Sequence, residues 1–350
     1  MKDVIKTAVF FVIGAVILYL IFNNQSIAYQ EQCALDGISE ENCSLVEKIW
    51  GDFKGANWGI IAIILFLFMV SNVSRAIRWQ MLLEPVTGKP RFHNAIGSVM
   101  IGYLVNLGVP RSGEFVRAGV LSKYEGFPAE KVMGTIVVDR IIDVISLLVV
   151  IGITFLVAFS DMKELLDTHL NLEEKFGGLL QSKGLWVSVI AGMIAVCGGL
   201  YYFRHKILNS SLGKKVYNIL VGFLEGIKSV FRLRQPAWFL FHSIVIWLMY
   251  YLMTYIAFYA YGPTAHLGPV AGLVVFVFGT LGIVFPSPGG MGTYHYLVSS
   301  GLILYGINSI EAFTFANIIF FSVQLFCNVL FGVLAFILLS YINKNVRIKK

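Results

Sequence analysis

The sequence predicts an all-α integral membrane protein: about six full spans plus two re-entrant helical hairpins, arranged as an inverted-topology repeat. Three observations predict it. Of 350 residues, 57% are hydrophobic and only 13% charged, whereas a soluble domain carries about 25% charged residues. The apolar residues gather in runs near the length a bilayer requires, about 20 per helical span. The charges collect between those runs, with the basic stretches on alternate sides, as membrane topology demands.

Thr7 to Phe22 comes after Lys2 and Lys6, and no small-residue cleavage site follows it. It reads as an uncleaved first span with its N-terminus inside. The loop at 23–57 sets Glu31, Asp36, Glu40, Glu41, Glu47 and Asp52 against Lys48 and Lys54, so it reads as extracytoplasmic. Cys33 and Cys43 lie in it, either disulfide-bonded in an oxidising compartment or free thiols in a reducing one. Trp58 to Ser74 returns inside, where Arg75, Arg78, Lys89 and Arg91 face Glu84.

Val132 to Phe159 then leads outward to an acidic loop at 160–184, and Leu185 to Phe203 returns to a basic run beginning Arg204 and Lys206. Both ends of the intervening segment, Phe92 to Lys131, therefore sit on the inner face. Its second arm, Phe115 to Glu130, is too polar to cross lipid, so it reads as a hairpin with its tip at 110–114. The second half repeats this upside down. Trp238 to Tyr261 goes out, Gly268 to Ile307 dips in from the outer face with its tip at 286–292, and Ala312 to Tyr341 returns to Lys344, Arg347, Lys349 and Lys350.

The result is one transmembrane domain over 1–345, with repeats at about 7–159 and 185–341, as in many secondary transporters. Both termini are expected in the cytoplasm, in the inner (plasma) membrane. The 205–235 stretch carries apolar residues at helical spacing and reads as a cytoplasmic amphipathic linker on the inner leaflet.

Charges inside apolar runs are costly enough to need a reason. Asp139, Arg140 and Asp143 are the clearest case, with the two acids four residues apart on one helix face. At 1.5 Å per residue, Arg140 lies about 13 Å deep, near mid-membrane. Either it holds an anion, or the group is a structural ion pair joining this helix to the hairpin. Arg111, Glu114 and Arg117 flank the first tip; the arginine forks suit phosphate oxygens, or they snorkel to the inner headgroups. At the second tip, Pro286, Gly289, Gly290 and Gly292 either expose backbone amides as an anion nest or form a plain turn. His295 reads as a packed hydrogen-bonding residue, and Asn317, Gln324 and Asn328 as interhelical glue.

Other classes are disfavoured. The net charge of +7 follows the loops and implies no nucleic-acid partner. Cys33, Cys43, Cys197 and Cys327 form no CxxC pair, and no metal or cofactor is implied. The P-loop, GxSxG, HExxH and GxGxxG signatures are absent, which disfavours an ATP-driven pump or a metalloprotease and leaves no catalytic residue to name.

Three ordered motifs add a family resemblance. Asn106-Leu-Gly-Val-Pro110-Arg-Ser-Gly-Glu114-x-x-Arg117, Asp139-Arg140-x-x-Asp143 and Pro286-x-Pro-Gly-Gly290-x-Gly292 resemble the lysylphosphatidylglycerol synthase transmembrane-region family over roughly 1–345. This family, also called flippase-like, includes the membrane half of the bacterial multiple peptide resistance factor. The resemblance implies lipid handling, and in the best understood members translocation of an aminoacylated anionic phospholipid between leaflets. The soluble aminoacyl-transferase half is not in this chain, so lipid synthesis is not expected. Relatives also serve lipid and polyprenyl-linked glycan systems. The expected partner is thus an anionic phospholipid or polyprenyl phosphate, with a homo-oligomer possible. The leading expectation is a lipid translocase not driven by ATP. The alternatives are a headgroup-modifying enzyme or accessory subunit, and a small anion or solute transporter.

Overall fold

A computed structural model describes residues 43–109, 112–159, 233–284 and 290–344, with scattered positions between 19 and 33. Almost all of Thr7 to Phe22, and all of Leu185 to Phe203, lie outside the described residues, as does the 205–232 part of the linker. Among the described residues every regular element is helical: α1 Leu45–Gly55, α2 Trp58–Thr87, α3 Phe92–Gly108, α4 Gly113–Glu125 and α5 Ala129–Val157, then α6 Pro236–Ala257, α7 Pro269–Val284, α8 Thr293–Ile303, α9 Ser309–Ile319 and α10 Asn328–Ile342. A π-helical segment, Phe320–Cys327, joins α9 to α10.

Met1–Thr154 and Leu233–Lys350 form one compact unit, and Phe155–Arg232 a second. In the second, the rings of Phe155 and Phe159 meet edge to face at 5.5 Å. The first holds the hairpins and the charged residues singled out above.

Among the described residues, four helices are long and apolar enough to cross a membrane: Trp58–Thr87, Ala129–Val157, Pro236–Ala260 and Ser309–Ile342. Exposed apolar side chains cover the outer face of α5, with Val144, Leu148 and Val149 each at least half exposed. Phe336, Ile337 and Leu338 do the same on α10. Such faces would drive aggregation in water and are at home in lipid.

The Asn57 side chain caps α2 by accepting from the amides of Gly59 and Ile60 at 3.1 and 3.3 Å, which satisfies two orphan donors of the first turn. The helix then runs 30 residues, far past the Ser74 boundary read from the sequence. Arg75 and Arg78, read there as loop charges, are buried in its second half. They remain helical because carboxylates of α5 meet them.

Part of the 23–57 loop is helical too. α1 is capped by Ser44 and carries a Lys48–Asp52 pair at 3.0 Å. Cys33 and Cys43 are disulfide-bonded. The Tyr261 hydroxyl donates to Asp52 at 3.1 Å, tying α1 to the residue that follows the α6 span.

Two helical hairpins sit between the long helices. In α3–α4, Gly102 and Gly113 meet backbone to backbone: a Cβ on Gly102 would lie 2.9 Å from the Gly113 carbonyl oxygen. The Gly113 amide donates to Asn106 at 2.7 Å. In α7–α8, a Cβ on Gly282 would lie 2.7 Å from Tyr294 Cα, and the Thr293 hydroxyl donates to the Gly282 carbonyl at 2.6 Å. Each hairpin thus closes where a glycine of its first arm admits the start of its second. The four arms have 17, 13, 16 and 11 residues, short of the roughly 20 that a full crossing needs.

α2 packs along α6, and α3 along α10. Gly97 lies against Leu339, and Gly332 against Leu104, the close small-residue approach by which helices associate in lipid. At the same end, Asn94 and Asn343 are buried and hydrogen-bonded, and Asn94 also donates to Glu125 at 2.5 Å. These bonds join α3, α4 and α10. A hydrophobic cluster of Ala76, Trp79, Val99, Leu121 and Ile136 fills the space among α2, α3, α4 and α5, and it walls one side of the charged residues that those helices carry.

Candidate functional site

Helical spacing brings charge to the meeting of α2, α4 and α5. Arg75 and Arg78 are three residues apart on α2, Asp139 and Asp143 four apart on α5, and Glu114 and Arg117 three apart on α4. Each pair occupies one helix face.

The geometry forms an inner clamp and an outer edge. Within the clamp, Arg78 Nη2 donates to Asp139 Oδ1 at 2.6 Å and to Asp143 Oδ1 at 2.7 Å. Arg75 Nη1 donates to Asp143 Oδ2 at 2.7 Å, and Arg117 Nη1 to Asp139 Oδ2 at 3.2 Å. From α6, Ser243 accepts from Arg78 at 3.3 Å and Tyr250 from Arg75 at 3.4 Å. Arg78 and Asp139 are fully buried. At the edge, Arg140 Nε lies 2.9 Å from Glu114 Oε1, and its Nη1 3.5 Å from Asp143 Oδ2. The side chains of Arg140 and Glu114 remain 39% and 27% exposed, so this edge is open to a ligand while the clamp is not.

Trp79 positions the arginine between them. The Arg117 guanidinium stacks over the indole, 3.8 Å from its centroid, and the indole nitrogen donates to Thr135 on α5 at 3.0 Å. Stacking holds the fork flat and partly replaces lost hydration. Arg117 Nε and Nη2 are nevertheless shielded and have no hydrogen-bond partner among the described residues, and the same is true of Nε on Arg75 and Arg78. Four arginines (75, 78, 117, 140) face three carboxylates (114, 139, 143), leaving a formal excess of one positive charge. An anion would satisfy both the open donors and that excess.

The sequence-derived residues fare differently. Glu114, Arg117, Asp139, Arg140 and Asp143 come together, but Arg140 is not the main partner of its two acidic neighbours. It turns to Glu114, while Asp139 takes its partners from α2 and α4. The Arg117–Asp139 bond does tie α5 to the first hairpin. Arg111, Pro286 and Gly289 lie outside the described residues. Gly290 and Gly292 are buried, with φ of 83° and 82°; Gly290 lies against Ile283 and accepts from the Thr293 hydroxyl, within the second hairpin.

Sequence reasoning missed Arg75 and Arg78. The signal was present: Ala76, Trp79, Leu82 and Leu83 continue an apolar helical face beyond Ser74. Two further readings change. Asn317 and Asn328 donate to carbonyls four residues back on their own helix and bridge no helices among the described residues. His295 is packed as expected, 4.6 Å from the Phe320 ring, yet both its nitrogens are shielded without a hydrogen-bond partner among the described residues. Among the described residues, no group of three or more His, Cys, Asp or Glu side chains is placed to hold a metal ion.

A family model described as the lysylphosphatidylglycerol synthase TM region matches residues 44–332. Neither a curated protein nor a solved structure matches the chain.

Proposed function

The chain belongs to the lysylphosphatidylglycerol synthase transmembrane-region family, and from that premise we propose that it is a lipid translocase. In this reading it takes an anionic or phosphate-bearing headgroup at the arginine cluster and moves it between leaflets without ATP and without chemistry on the lipid. Membership itself makes it a membrane protein related to lipid handling. The observation that carries the finer step is the pair of open, buried donors on Arg117 beside the exposed Arg140–Glu114 edge.

The headgroup phosphate replaces Glu114 at Arg140 and, with Glu114 displaced, reaches the unpartnered Nε and Nη2 of the shielded Arg117 fork. Charge-assisted, planar contacts of this kind suit phosphate oxygens. Arg75, Arg78, Asp139 and Asp143 hold the fork in place and balance its charge. The acyl or prenyl tails stay in the bilayer. Arg111 and the 286–292 loop belong to the same path in this reading, as the entry and the far side.

The order of elements supports an inverted repeat within one transmembrane domain over 1–345. α2, the α3–α4 hairpin and α5 correspond to α6, the α7–α8 hairpin and the α9–α10 span. The short hairpin arms support re-entrant hairpins, with six full spans counted over the whole chain. The Cys33–Cys43 disulfide supports an oxidising, extracytoplasmic side for 23–57. Both termini and the 205–235 linker then lie in the cytoplasm, at the inner membrane.

Movement of headgroup-labelled anionic lipid in proteoliposomes tests the proposal. Faster movement than in protein-free vesicles, undiminished by millimolar soluble phosphate, is expected. Anion flux without lipid movement would point to a solute transporter, and a new lipid product to an enzyme.

A further inference from the structure

Away from the arginine cluster, a cavity of about 270 Å³ opens between the Thr87 end of α2 and the Pro236 end of α6. Its polar lining comes from Gln80, Glu84, Lys89, Gln235 and His242, with Trp238 as an aromatic wall. The Trp238 indole stacks on the His242 ring at 5.9 Å and is 54% exposed. His242 Nδ1 is shielded and has no hydrogen-bond partner among the described residues. Gln80 is buried, and its amide nitrogen is held by the Pro90 carbonyl at 2.7 Å. Glu84 and Lys89 are exposed, and neither forms an ion pair with the other or with any described residue.

We propose that this cavity binds a zwitterionic headgroup carrying a primary ammonium and a phosphate, the chemistry of an ethanolamine phosphoglyceride. Two opposite charges that line one cavity without pairing are matched by a ligand bearing both. The ammonium goes to the Glu84 carboxylate and the face of Trp238, which attracts cations through its ring quadrupole. The phosphate goes to Lys89, with the unpartnered His242 nitrogen and the Gln235 amide as further contacts. A purely anionic headgroup would leave Glu84 opposed, and a purely cationic one would leave Lys89 opposed. An exposed tryptophan beside polar residues at a helix end is also the usual furniture of the membrane–water interface. Along α2 the cavity is distinct from the clamp: Glu84 lies about 9 Å beyond Arg78 at 1.5 Å per residue.

The test is lipid retention by the purified full-length chain in detergent, read by mass spectrometry of intact complexes against phosphatidylethanolamine and phosphatidylglycerol. The expected result is that Glu84→Gln and Lys89→Gln each lower retention of the ethanolamine lipid about tenfold, on the scale of one or two charged contacts, while retention of the glycerol lipid and thermal unfolding stay unchanged. Arg117→Lys lowers glycerol-lipid retention instead, which separates this site from the translocation reading. Displacement of the lipid by soluble phosphoethanolamine supports the proposal and shows that the headgroup alone suffices. Retention without displacement supports it for the lipid form. Wild-type retention of the ethanolamine lipid by both glutamine variants, or an equal loss of both lipids in them, overturns it.

Discussion

Arg78 on α2 and Asp139 on α5 are paired at 2.6 Å across 61 residues of sequence, with both side chains fully buried. A fully desolvated pair costs more to break than to replace, because removing one partner strands the other. Arg78→Leu is therefore expected to destabilise the protein by about 3–5 kcal/mol. Arg78→Leu combined with Asp139→Leu should recover part of that loss. Thermal unfolding in detergent checks both; a single variant as stable as the parent would contradict the clamp.

The hairpin glycines give a controlled comparison. Gly102→Ala pushes a Cβ to 2.9 Å from the Gly113 carbonyl oxygen, whereas nothing lies within 4 Å of a Cβ on Gly119, on the second arm of the same hairpin. Overpacking costs about 1–3 kcal/mol, while Gly→Ala at an open helical position gains up to about 1 kcal/mol. Opposite signs are expected from the two variants in unfolding experiments.

The proposed sidedness is tested at the two ends of α2. Asn57 and Thr87 bracket a helix long and apolar enough to cross a membrane, so the proposed topology puts Cys43 and Lys89 on opposite faces. After mild reduction of intact cells, an impermeant maleimide should reach Cys33 and Cys43, and not a Lys89→Cys variant. Labelling of the new cysteine from outside would reverse the proposed topology.

Tyr261 makes a pH prediction. Burial, and then the Asp52 carboxylate beside it, push its phenol well above the usual tyrosine range. The folded state therefore keeps a proton that the unfolded chain loses near pH 10. Stability contributed by this group is present below that pH and falls as pH rises through it. Tyr261→Phe should cost about 1 kcal/mol at neutral pH and soften the loss above pH 10, as seen in unfolding midpoints across that range.

Much of this architecture was legible in the sequence because bilayer thickness and charge placement constrain long apolar runs so tightly. The segment 92–131 reads as a hairpin from parity and from Arg117, Lys123, Glu125 and Glu130 in its second arm, and it does fold as two helices, Phe92–Gly108 and Gly113–Glu125. Asp139, Arg140 and Asp143 stood out because they interrupt a run of isoleucine and valine. Arg75 and Arg78 did not, since a helix continuing past an apolar run looks like a basic loop until its carboxylate partners are known, and those lie 61 to 68 residues away. Likewise no local pattern says that Arg140 turns from Asp139 to Glu114, or that Trp79 lies under Arg117. Such contacts are set by which helices become neighbours.

Recognition of a lipid phosphate by the Arg117 fork is tested by a single substitution, Arg117→Lys. Lysine keeps the charge but loses the planar stack on Trp79 and the two open guanidinium donors. Binding and movement of headgroup-labelled anionic lipid are measured in proteoliposomes, with thermal unfolding as a control for folding. The expected result is a folded variant that binds the lipid more weakly by about 1–2 kcal/mol and moves it correspondingly more slowly. Unchanged binding together with unchanged movement in a folded variant would contradict phosphate recognition at this arginine.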